Sequence, residues 1–161
     1  MIIIYVLTGG SFLALFVAGI QGYAGLDPLG IDHFAFSFIT VIVYLLTEVL
    51  VIFFFVATGG SIKDYVHEGR AKPEYHQRAL AIKRRVYPAT LLNMLLVMTV
   101  FILGGAADTG SIPPWVHGGV YMGAMIHFVF TIRRQHTCFK ENTSIVLAMT
   151  GRAPASPGRD G

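Results

Sequence analysis

Four stretches of the chain are long, apolar and nearly free of charge, and they constrain the fold more than any other feature. They cover residues 2–20, 34–57, 89–107 and 115–132, and the only Asp, Glu, Lys or Arg inside them is Glu48. Each is close to the ~20 residues that a helix needs to cross a ~30 Å hydrocarbon core. Charged residues make up 13% of the chain, against about 25% in an ordinary soluble domain, and they crowd between these stretches. The expected fold is therefore an all-α, integral membrane four-helix bundle. One domain is expected over 1–150, followed by a tail at 151–161 rich in Pro, Gly, Ala and Ser that reads as disordered. The spans and their connections use nearly all of the 161 residues. Little chain remains for a soluble catalytic domain, so chemistry must sit in the bundle, at its faces or on a partner.

Basic residues give the orientation. Seven of the twelve lie between the second and third stretches and five follow the fourth, while 21–33 and 108–114 contain none and carry Asp27, Asp32 and Asp108. The positive-inside rule puts the basic segments in the cytoplasm, predicting a multi-pass protein of the inner membrane with both termini cytoplasmic. Tyr23 and Trp115 would then anchor the outer interface, and Tyr65 and Tyr87 the inner one. The opening Met1-Ile2-Ile3-Ile4 has no basic region, so no cleaved signal peptide is expected. Cys138 is the single cysteine, which excludes an intrachain disulfide and reads as an inert thiol.

Residues 73–87 read as a cytoplasmic amphipathic helix. Pro73 suits a first turn and Glu74 the positive end of the dipole. Tyr75, Ala79, Ile82 and Val86 share one face, while Lys83, Arg84 and Arg85 lie among the basic residues covering the rest. Such a helix suits the lipid headgroup layer or another protein subunit rather than nucleic acid. Pro88 is expected to end it.

Helices in lipid meet through small and polar residues. Gly10, Ala14, Ala18 and Gly22 form a small-residue stripe on the first span. Gly119 and Gly123 on the fourth have GxxxG spacing and share a face with His127. On the second span Glu48 shares a stripe with Tyr44, Ser37 and Thr40, and on the third Asn93 shares a face with Val97, Val100 and Gly104. Counting 1.5 Å per residue from the span ends brings Glu48, Asn93 and His127 within a turn or two of one level, so they are expected to meet.

An intramembrane carboxyl is costly and so suggests a role. Glu48 fits a proton relay or polar pocket with Asn93, His127 and Tyr44, or else a neutral hydrogen bond holding helix register. Histidines invite a cofactor reading. His33 and His117 both begin spans at the outer surface, where they could share a haem b iron, with Gly118 and Gly119 leaving space for a porphyrin edge. No Lys or Arg lies there for the propionates, although Trp or hydroxyl donors would serve; otherwise both are wetted helix-end residues. His127, beside Gly123 and Ala124, suits a chlorin magnesium or a quinone carbonyl. The chain contains no HExxH, paired ExxH or CxxC spacing, phosphate loop or nucleophile elbow, so no catalytic residue is expected.

Three functional classes fit. The first is a non-catalytic subunit of a larger energy-transducing membrane complex, for electron transport or photosynthesis, whose basic helix docks on other subunits. The second is a small proton-coupled transporter using Glu48. The third is a cytochrome b-type haem carrier.

Overall fold

The computed structural model describes residues 1–26 and 30–151. The tail at 152–161 and the acidic Asp27 lie outside the described residues. Four helices follow in order, α1 Ile2–Ala24, α2 His33–His67, α3 Pro73–Asp108 and α4 Pro114–Met149, and there is no strand among the described residues. All four are long and apolar enough to cross a membrane. Sequential helices pack side by side, and α4 returns to touch α1 and close the bundle. The starts follow local chemistry. Asp32 caps α2 by accepting from the Phe34 and Ala35 N–H groups at 2.9 and 3.1 Å. Prolines open α3 and α4, where the missing N–H costs nothing. Gly25, Gly69 and Gly110 follow the first three helices with positive φ, a conformation that glycine adopts without strain.

The helices are unequal. α1 has 23 residues, whereas α2, α3 and α4 have 35, 36 and 36, or about 53 Å at 1.5 Å per residue. α1 accompanies α4 from the Tyr23–Gly118 contact to the Met1–Thr143 contact. Toward the basic end the other helices run on and enclose a core of their own, with Val51, Phe55 and Ile62 from α2, Ala79, Ile82 and Val86 from α3, and Phe139 and Ile145 from α4.

This extension corrects the expectation of a separate amphipathic helix. Residues 73–87 are the first half of α3, which continues through Pro88. An interior proline costs roughly 3 kcal/mol, offset here by burial of Ile82, Val86 and Ala89 on either side of it, each large aliphatic side chain contributing about 1.5–3 kcal/mol. The face assigned to lipid or a partner is spent inside the chain: Ala79, Ile82 and Val86 are buried, and Tyr75 packs half-buried against them. Of the basic residues, Lys83 lays its stem over Gly59, Arg84 is exposed, and Arg85 pairs with Glu141 on α4.

The small-residue stripes also turn differently. α1 buries Thr8, Ser11, Leu15 and Ala18; Ala14 is half-buried, and Gly10 is exposed. Gly119 and Gly123 are exposed, with nothing within 4 Å of an added Cβ. Polar and apolar packing on the adjacent faces of α1 and α4 sets the rotation instead of the glycines.

Candidate functional site

A cavity of about 370 Å³ opens at the end of the bundle remote from the basic residues, and all four helices line it. Its floor is Leu15, Val97 and Ala124, which pack on Tyr44 and Phe128 below. Phe34, Val41 and Phe101 form apolar walls, and Tyr23 and Trp115, both largely exposed, stand at the rim with Ser37 and Asp108. None of the residues lining it is Lys or Arg.

His33 and His117 both line this cavity. His33 is the first residue of α2, fixed by the Asp32 cap immediately before it. His117 sits in the first turn of α4, set by Pro113 and Pro114. Each ring rests on a glycine of a neighbouring helix. An added Cβ on Gly22 would lie 3.2 Å from His33 Cε1, and one on Gly104 would lie 3.2 Å from His117 Cε1. Gly118 meets a tyrosine instead: its carbonyl accepts from the Tyr23 hydroxyl at 2.5 Å.

The ring nitrogens are differentiated. His117 Nδ1 stands 3.1 Å from the Val100 carbonyl oxygen. A carbonyl only accepts, so Nδ1 donates to it, which in the neutral ring leaves the lone pair on Nε2. His33 Nδ1 faces Ser37 Oγ at 3.5 Å. A backbone or hydroxyl partner on the second nitrogen is the arrangement that orients a ligating histidine. Between α1 and α4, Tyr121 donates to the Leu15 carbonyl at 3.0 Å, its ring filling the space over Gly19. With Tyr23 this gives two tyrosine staples, one from each helix.

Below the floor lies a buried polar layer. Asn93 joins the other two members of one chain, donating to Tyr44 Oη at 2.7 Å and accepting from His127 Nδ1 at 2.9 Å. Thr131 Oγ1 is also 3.3 Å from that nitrogen. Glu48 has a different partner from the one expected. Gln135 donates to its Oε2 at 2.6 Å and to Thr90 Oγ1 at 3.1 Å. Glu48, Tyr44, Asn93 and Thr90 are fully buried. Asn93 and His127 therefore meet, while the structure gives Glu48 to Gln135, which also bonds Thr90. Gln135 was missed because the fourth span was expected to end at residue 132, and Thr90 because the third span was read for Asn93 alone. The signal was present in the spacing of His127, Thr131, Gln135, Cys138 and Asn142, one face of a continuing helix. His127 is half-buried and outside the cavity lining.

Among the described residues no group of three His, Cys, Asp or Glu side chains could hold a metal ion; a pair of axial imidazoles on a macrocycle needs only two. No family model, curated protein or solved structure matches this chain. The cavity is the place where sequence, packing and hydrogen bonding converge.

Proposed function

We propose that the chain is a membrane b-type cytochrome that holds a haem between His33 and His117 and passes single electrons. One observation carries this reading: two histidines from different helices line one apolar cavity, each seated on a glycine and each with a partner at Nδ1. The fit is chemical as well as steric. With Nδ1 of His117 held by the Val100 carbonyl, Nε2 is the nitrogen that would ligate haem iron. Phe34, Phe101, Val41 and Val97 offer the apolar contact a macrocycle needs. At the rim, water, the Trp115 indole and the Ser37 hydroxyl would be the donors for its carboxylates, since no Lys or Arg lines the cavity. Bound there, haem would supply a reversible one-electron couple, with His33 and His117 as the residues that would hold it.

An electron carrier of this kind would serve other redox proteins, so the cavity, rather than a docking helix, is what supports a place in an electron-transport assembly. The basic end remote from it supports an orientation with the cavity on the extracytoplasmic side.

The test is purification in detergent after expression with a haem supply. The expected product holds one haem per chain with a low-spin b-type spectrum, and His33→Ala and His117→Ala each lose that spectrum while still inserting. A chain without haem, or a low-spin spectrum unchanged in both variants, overturns the proposal.

A further inference from the structure

The buried carboxyl lies outside the cavity, yet it belongs to the layer directly beneath the floor. Seven residues separate Glu48 from wall residue Val41 on α2, about 10 Å along the axis. Charge placed in the cavity and charge on Glu48 face each other through an interior where Coulomb interactions are weakly screened. We propose, resting on the haem reading above, that Glu48 takes up a proton from the basic end when an electron enters the cavity.

Three features carry this. Glu48 is fully buried, and among the described residues its only hydrogen bond comes from the neutral Gln135, with Oε1 unpartnered there. An acceptor oxygen in that position has a place for a proton. The side chain also lies near the basic face: Gln135 directly follows Arg133 and Arg134, which are exposed. Farther that way, Thr58 and Asn142 form a second polar pair, with Thr58 donating at 3.4 Å. The groups around Glu48 leave few rival titrating sites. Its own helix contributes Tyr44. α4 contributes His127 beyond Gln135, while α3 gives Thr90 and Asn93, and α1 faces the layer with Ser11, bonded to Thr47 at 3.2 Å. Tyr5 and His136 pair with each other on the exposed side.

The balance is simple. A one-electron reductant, a reduced electron-transfer protein or the SO2 radical anion of dithionite in the assay, would give one electron to the bound group. The Glu48 carboxylate and one proton from the basic side become the carboxylic acid, and no other bond forms or breaks. The site thus gains no net charge on reduction.

The experiment is a redox titration of the haem-loaded protein at a series of pH values. The midpoint potential is expected to fall as pH rises across the range in which the carboxyl titrates. Glu48→Gln should keep the spectrum and lose that dependence, Glu48→Asp should retain it, and His127→Gln should leave it in place. A normal haem spectrum with a pH-independent potential in the native chain overturns the inference alone. So does a dependence that survives Glu48→Gln and disappears in His127→Gln. Absence of haem overturns this inference together with the reading beneath it.

Discussion

Gly104 and Gly105 are adjacent on α3 and both line the cavity, but only Gly104 supports a histidine. A Cβ on Gly104 would approach His117 Cε1 to 3.2 Å, inside the roughly 3.5–4.0 Å of comfortable carbon contact. The ring must give way by a few tenths of an ångström, and moving it strains the 3.1 Å bond to the Val100 carbonyl. Local overpacking of this kind costs about 1–3 kcal/mol, which corresponds to a haem affinity weaker by about 5- to 150-fold. Gly105 has nothing within 4 Å. Alanine there should leave affinity unchanged and stabilise the helix by about 0.5–1 kcal/mol through lost backbone freedom in the unfolded chain. Absorbance titration of haem into the detergent-solubilised apoprotein, beside thermal unfolding of the same samples, separates the two effects. Equal affinities for Gly104→Ala and Gly105→Ala would refute the claim that the glycine seat positions the imidazole.

Two further substitutions test the packing beneath the site. Ile82→Ala should cost about 2–5 kcal/mol in detergent unfolding, because the side chain is 1% exposed within the basic-end core; a helix lying on a membrane surface would lose far less. Asn93→Leu should cost about 1–3 kcal/mol for each of the two groups it abandons, Tyr44 Oη and His127 Nδ1. Adding Tyr44→Phe should recover part of that loss, and a double-mutant cycle that is strictly additive would rule out the chain of bonds.

The four membrane-crossing helices were legible because lipid demands long uncharged runs, and nothing else in the chain competes with that signal. The pairing of residues was less so. Periodicity placed Tyr75, Ala79, Ile82 and Val86 on one face but could not say what covers it. The cover comes from Phe55 and Ile62 on α2 and from Phe139 and Ile145 on α4, the latter interleaved with Lys140, Glu141 and other polar residues that hid the continuation of the fourth helix beyond the apolar span. Glycine spacing misled for a related reason: Gly119 and Gly123 permit a close approach, but a permitted contact is not a required one. Depth arithmetic brought Asn93 to His127, yet one turn of error decided that Glu48 would reach Gln135. His33 and His117 were readable as a pair at one end. The cavity between the helices, and the seats at Gly22 and Gly104, depend on three-dimensional packing that no single segment encodes.

The tyrosine staples bear on how the site is assembled in time. The walls come from all four helices, and α1 is fastened to α4 through Tyr23 and Tyr121. His33 and His117 are 84 positions apart (117 minus 33), a delay of roughly 4–17 s at a synthesis rate of about 5–20 residues per second. Throughout that interval the early hairpin of α1 and α2 presents one imidazole and half a cavity. A ligand held by both histidines cannot be captured until the last helix has entered the bilayer and its tyrosine has found the Leu15 carbonyl. On the haem reading, cofactor loading would thus be the closing step of biogenesis, and a ribosome stalled before residue 117 would leave an inserted chain without its second imidazole.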